Sequence, residues 1–204
     1  MARILIDNES IGAQPASGKS TIFIDSTTKK LSQQDDGGTQ RGVLSRNSTT
    51  ASQGAGFAAD TYVTNSNLLI PSCGIQAGMV FRWYISLSKT GAGTAAAVFT
   101  FRLGSGLSTS DTSILALTSA TAQTAAASSG LFIVSLGVRT TGGSGVVAGG
   151  VGVATNTAGL GGGIDGVSGS VNLASAAGLS MGISMNGGAS AAWTITSVTG
   201  ELIG

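Results

Sequence analysis

From Asp60 onward the chain reads as strand after strand. The clearest is MVFRWYISLSK at 79–89, where Phe81, Trp83, Ile85 and Leu87 alternate with Arg82, Tyr84, Ser86 and Ser88. A period of two puts the two sets on opposite faces of a half-buried strand. Phe81, Trp83 and Tyr84 fall within four positions of a chain that holds only two Trp and two Tyr, so this strand is the expected centre of the core. Ala97, Phe99, Phe101 and Leu103 share a face in the same way, as do Phe132, Val134, Leu136 and Val138. The candidate core is Phe81, Trp83, Ile85, Phe99, Phe101 and Phe132. Strands are predicted at Thr61–Thr64, Asn67–Ile70, Met79–Ser88, Ala95–Leu103, Thr112–Thr118, Leu131–Thr140, Ser144–Thr155, Gly166–Leu173, Leu179–Met185 and Ala191–Leu202, with turn residues between them. Their spacing predicts an all-β sandwich of jelly-roll type. One stretch competes: ILALTSATAQTAAA, within 112–127, is rich in good helix formers. Its clustered Thr and Ser decide for strand followed by loop.

The first sixty residues have a different pattern. Short strands at Arg3–Asp7, Ser20–Asp25 and Lys30–Ser32 are separated by the turn clusters GAQPASG and DDGG, and SRNSTTASQGAG at 45–56 reads as a linker or an extended run. Strands so few and short enclose no core of their own. The expected organisation is an extended N-terminal arm, residues 1–60, followed by one β-sandwich domain, residues 61–204. Charge divides the same way: residues 1–60 carry 12 of the 19 charged side chains, leaving Arg82, Lys89, Arg102, Asp111, Arg139, Asp165 and Glu201 for the rest.

Composition sharpens the picture. Apolar residues make up 42% of the 204 and charged residues 9%, against about 25% charged in an average domain. The apolar share argues for a folded chain rather than a disordered one. A folded surface this poor in charge is solvated through Ser, Thr and backbone, or is covered by copies and partners, and the second option points to assembly. A formal net charge of +1 supplies no field that steers the chain to nucleic acid or to an acidic membrane. MARILIDNES breaks its apolar run with Asp7 and Glu9 too early for a secretory segment, which predicts synthesis in the cytoplasm. The uncharged stretch between Arg139 and Asp165 is punctuated by Gly, Asn, Ser and Thr and is no transmembrane helix.

Candidate chemistry is thin. AQPASGKS at 13–20 matches a relaxed phosphate loop, with Gly18, Lys19 and Ser20 as the cradle. Such a loop works through the helix N-terminus that follows it, whereas TIFID, which follows here, reads as a strand. Gly143 to Gly149 has the wrong glycine spacing for a dinucleotide loop and reads as a hairpin. The absence of histidine removes Ser-His-Asp triads and histidine-containing metal sites. Asp35-Asp36 before Gly37-Gly38 reads as a turn, and the single Cys73 offers neither a disulfide framework nor a metal motif. Arg82, Arg102 and Arg139 sit on polar strand faces, either aligned to bind an anion or a partner carboxylate, or solvated or paired within the sheet. Trp193 in AAWTIT reads as core or interface, with core favoured. No enzyme, cofactor or metal site is expected.

Two segments carry a resemblance. Pro15-Ala-Ser-Gly18-Lys19, IFID, Lys30-Leu31 and Asp35-Asp36-Gly37 together resemble the N-terminal segment of many tailed-bacteriophage virion proteins, where it precedes a fibre or decoration domain. Trp83-Tyr-Ile-Ser-Leu-Ser-Lys89-Thr90 with GAGTAAA, FRLG, Asp111-Thr112, TAQTAAA, Val138-Arg139 and AAWTITSV is similar to the jelly-roll domain of phage structural proteins, which typically assemble as homotrimers. The resemblance implies a virion component without catalytic residues, first of all a head decoration or cement protein bound to the major capsid protein or another virion protein. A tail, fibre or receptor-binding protein is the alternative. Lys19, Phe23, Asp25, Lys30 and Arg41 are then the candidate anchoring residues of the arm.

Overall fold

A computed structural model describes residues 16–17, 21–24, 31–34, 40–42, 46–71, 74–118, 123–156 and 164–203. Among the described residues every regular element is a strand: β1 (Thr21–Ile24), β2 (Leu31–Gln34), β3 (Gln40–Gly42), β4 (Arg46–Thr49), β5 (Gln53–Gly56), β6 (Thr61–Tyr62), β7 (Leu68–Leu69), β8 (Val80–Lys89), β9 (Val98–Gly104), β10 (Thr112–Thr118), β11 (Ser128–Thr140), β12 (Val146–Asn156), β13 (Ile164–Val167), β14 (Ser180–Asn186) and β15 (Trp193–Ile203). The expected all-β class holds.

Two antiparallel sheets form a sandwich. The larger runs β13-β12-β11-β8-β15-β4, with β5 also on β15, and the smaller runs β10-β9-β14-β6, with β7 also on β14. The chain crosses between sheets from β8 to β9 and from β14 to β15, and these crossing strands are neighbours in both layers, β8 beside β15 and β9 beside β14. Hairpins then add β10 to β9 and β12 to β11 within a layer. A separate three-stranded sheet, β1-β2-β3, precedes the sandwich.

The alternation that begins at Phe81 runs the length of β8, and every odd position from Phe81 to Lys89 is buried. Phe81, Trp83, Ile85, Phe99, Phe101 and Phe132 are all fully buried. Trp83 lies between the layers, its ring stacked on Phe81 and tilted against Phe101. Its indole N–H donates to the Ser66 carbonyl at 2.6 Å, which satisfies the one polar atom that a buried Trp carries. Trp193, at the other end of the core, donates to Gly187 O at 3.0 Å. Small residues make this packing possible. A Cβ on Gly200, the cross-strand partner of Trp83, would come within 2.8 Å of the indole, and one on Gly187 within 2.2 Å of Trp193. Part of the glycine content is therefore room for aromatic rings.

Of residues 45–56, which read from sequence as a linker or an extended run, Arg46–Thr49 and Gln53–Gly56 are strands of the sandwich rather than a linker. β4 pairs with β15 from Val198↔Thr49 to Glu201↔Arg46, and β5 pairs Gly56 with Trp193. Phe57 follows, fully buried, and its carbonyl accepts from the Gly187 N–H at 2.7 Å. The sandwich thus draws on residues before Asp60. RNST and QGAG carry almost no apolar signal because a strand at a sheet edge is held by backbone hydrogen bonds rather than by side-chain burial. The Gly166–Leu173 strand is likewise shorter than expected, ending at Val167, with Val171 forming only an isolated bridge to Gly145. The expected strand at Arg3–Asp7 lies outside the described residues.

Candidate interaction surface

Each sheet has an outward face, and the two are built differently. On the small sheet, register places Arg102 beside Gly182, and Thr100 and Tyr62 on either side of Ser184. Thr100, Arg102 and Ser184 are buried although they point away from the core. The cover is polar. Arg102 Nε donates to Ser184 Oγ at 2.7 Å, and Nη1 donates to the carbonyls of Thr109 and Asp111 at 2.7 and 3.0 Å. Nη2 pairs with Asp60 Oδ2. The other carboxylate oxygen of Asp60 is enclosed with no hydrogen-bond partner among the described residues. Asp111 ties the loop that covers this face, accepting from the Gly106 N–H at 2.9 Å. The hydroxyl end of Tyr62 lies against Gly182, where a Cβ would fall 1.9 Å from the phenol oxygen. Burial raises the Tyr62 pKa; a hydrogen bond with Ser66 opposes this, and the Asp111 charge adds to it.

Among the described residues no such cover lies over the large sheet. Its outward side chains form rows across the strands: Val167, Ala148, Gly137, Val80 and Ile203 in one, and Asp165, Gly150, Ser135, Arg82 and Glu201 in the next. A third row holds Gly152, Ile133, Tyr84, Thr199 and Ser48. Most of these positions are small or apolar. Val167 and Ile203 stand 54% and 42% exposed at opposite sides of the first row. Among the described residues the one ion pair on the face is loose, with Arg82 Nη1 3.8 Å from Glu201 Oε1, which also accepts from the Tyr84 hydroxyl at 3.3 Å. Between β11 and β13 the glycines at 150 and 152 leave a shallow trough of about 460 Å³, bordered by Ile133, Ser135, Ile164 and Asp165. Its single ionisable group is Asp165, so it offers contact surface rather than acid–base chemistry.

A second depression of about 430 Å³, between β10 and residues 170–179, has no ionisable residue in its lining. Lys89 closes the sandwich at one end, almost fully buried at the last inward position of β8. Its ammonium donates to the carbonyls of Thr124 and Ala126 at 2.6 and 2.7 Å, and burial lowers its pKa. The amine thereby pins Thr124 and Ala126, in the β10–β11 connection, to that end of the sandwich. Its place on the inward side was legible in the parity of residue 89; its partners, two backbone carbonyls far along the chain, were not.

The three arginines do not align. Arg82 faces outward from the large sheet, Arg102 is buried on the opposite side of the sandwich, and Arg139 stands exposed near the end of β11. Of the arm residues, Phe23 falls on β1 and Arg41 on β3, while Lys19, Asp25 and Lys30 lie outside the described residues, as do Asp35, Asp36 and Cys73. A strand, β1, follows the phosphate-loop-like stretch, and Gly143 to Gly149 forms the turn and start of the β11–β12 hairpin. Among the described residues no helix is long and apolar enough to cross a membrane. No family model matches the chain. No curated protein matches it either.

Proposed function

We propose that this chain is a non-enzymatic structural protein of a tailed-bacteriophage virion, a trimeric, jelly-roll-like head decoration (cement) protein that binds the capsid lattice through its N-terminal arm. The observation that carries the reading is the outward face of the large sheet: broad, small-residue, partly apolar and, among the described residues, uncovered and nearly free of fixed ion pairs. Such a face costs little to desolvate and suits repeated protein contacts more than small-molecule chemistry. The resemblance of the arm and of the β8 region to phage virion proteins supplies the particle. Binding repeated over many lattice sites turns modest contacts into tight occupancy.

The test uses the boundary that β4 marks. Deleting residues 1–45 removes β1 to β3 and stops short of Arg46. Full-length and truncated chains are mixed with heads lacking the protein and compared by sedimentation. Saturable full-length binding, with truncated binding at least about tenfold weaker, is the expected outcome. Binding of the full-length chain to tails but not heads replaces the decoration role with a tail or fibre role, and no binding to any particle part overturns the reading.

A further inference from the structure

The loop between β9 and β10 carries an exposed leucine in a costly conformation. Leu107 stands 44% exposed, and its φ of 50° is left-handed, where a Cβ crowds the following carbonyl. Of the four described non-glycine residues with positive φ, it is the one both large and exposed: Phe57 is buried, Asn65 is of a type that tolerates the conformation, and Ala191 carries only a methyl. The conformation is enforced from both sides. The Asp111 carboxylate accepts from the N–H groups that flank Leu107, Gly106 at 2.9 Å and Ser108 at 3.4 Å, while Arg102 holds the carbonyls of Thr109 and Asp111. Glycine or asparagine would fill the position with less strain. A strained, exposed apolar side chain gains its own fold little and is suited to anchor a contact, because it is ordered before binding.

A hole of matching character opens at the foot of the same loop. The depression of about 430 Å³ between β10 and residues 170–179 is lined by the buried Leu103, Ile114 and Ala176 and by the exposed Thr112, Ser113 and Ser175. Leu103 and Thr112 belong to the strand ends that the loop joins. Neither surface strands a charge: the lining has no ionisable group, and the loop's own, Asp111, is engaged by the loop's amides. A charged segment seated in the hole would lose its solvation with no counter-charge to meet. A leucine between Gly106 and Ser108 meets an apolar floor and a hydroxyl rim. We propose that Leu107 of one copy seats in this hole on a second copy, and that this is the subunit contact of the trimer. It rests on the trimeric reading above and assigns it residues. Passed head to tail, each leucine into the next hole, the contact closes a ring. One side chain and its loop cover less than the roughly 800 Å² that each partner buries in a standard interface. A single contact is therefore weak, and every protomer holds two only when the ring is closed.

Sedimentation of the full-length chain over a concentration series reads the midpoint of trimer formation, and chemical denaturation below that midpoint reads the monomer. Leu107→Asn removes the apolar side chain but keeps a residue that accepts the conformation. It is expected to raise the assembly midpoint at least about tenfold, with the denaturation midpoint of the monomer unchanged or higher. Ser175→Trp, which fills the hole from its exposed rim, is expected to raise the assembly midpoint by the same order. Leu107→Met, which keeps an apolar side chain, is expected to stay within about threefold of wild type. A Leu107→Asn monomer that unfolds at lower denaturant shows the leucine to serve its own fold and overturns the contact. Loss of assembly at only one of the two positions also overturns it, since leucine and hole are one contact. A trimer indifferent to both changes overturns the contact and leaves the trimer standing. A wild-type chain that stays monomeric, or stops at a dimer, overturns both.

Discussion

The two outward faces of the sandwich carry similar side chains to opposite ends. Each has an arginine in mid-strand with a carboxylate near it. On the small sheet, Arg102 makes four polar contacts and is buried under Asp60, Tyr62 and the loop ending at Asp111. On the large sheet, Arg82 reaches only Glu201 among the described residues, loosely, and its other cross-strand partner is Ser135. The small sheet spends its few charges on closing itself. The large sheet is left open, and its charges are available to another molecule. In a chain with so few charged groups, this difference is why we propose the large sheet as the face that another molecule covers.

The largest expected effect is at the closed face. Arg102→Ala strands the Asp60 carboxylate, already missing a partner for one oxygen, together with Ser184 and two carbonyls. Breaking a buried pair costs about 3–5 kcal/mol, and the partial exposure of Asp60 brings the expected loss to about 3 kcal/mol in chemical denaturation. A loss below about 1 kcal/mol would erase the distinction between the faces. A glycine pair sharpens it next. Gly182→Ala drives a methyl into the Tyr62 ring and is expected to cost about 1–3 kcal/mol. At Gly150, on the open face, the nearest atom to an added Cβ is the Ile164 carbonyl at 3.8 Å, ordinary contact distance. Gly150→Ala is expected to leave the folded monomer within about 0.5 kcal/mol of wild type.

The sandwich itself was legible because burial on one face writes a period of two into the sequence. β8, β9 and β11 show it plainly, and β10 runs from Thr112 to Thr118 as its β-branched and apolar residues predict. β4 and β5 were missed because they are held at β15 by backbone pairing, which leaves no mark on side-chain type. The closed face was missed for a different reason. Arg102 reads as a polar outward residue, and nothing local says that Asp60, 42 positions earlier, folds over it. The open face was half legible: scarcity of charge said that some surface awaits cover, but which face depends on the strand order that brings Asp165 and Arg82 into one row.

Alkaline titration tests the closed face without removing its arginine. The Tyr62 phenol is held above its ordinary value of 10.0, by burial first. In the unfolded chain it ionises near pH 10, in the folded chain only above that, so the folded state keeps the proton longer. This contribution is fully present below about pH 10 and is lost as pH rises through the folded value. Lys89 works in the opposite sense: its lowered pKa makes its own contribution grow as pH climbs toward 10.5. Comparing wild type with Tyr62→Phe cancels the lysine. The wild type is expected to lose stability relative to the variant from about pH 10 upward, and parallel curves across that range would show the phenol to be open to solvent.

The smallest effect is expected at the open face. Arg82 and Glu201 are both partly exposed, 37% and 28% by side chain, and 3.8 Å apart, too long for a strong charge-assisted hydrogen bond. Pairs of this kind contribute about 0–1 kcal/mol, much of it removed by salt. Arg82→Ala should therefore shift the unfolding free energy of the monomer, measured at concentrations below assembly, by less than about 0.5 kcal/mol. The long arginine stem also covers some of the sheet beneath it, so Arg82→Met is the companion variant that keeps the stem and removes only charge. If both variants are nearly silent, Arg82 is not there to hold its own fold together, in contrast to Arg102 on the other side. If Arg82→Ala costs as much as Arg102→Ala, the large sheet is closed by its own charges after all, and the surface left to be covered must be sought elsewhere on the chain.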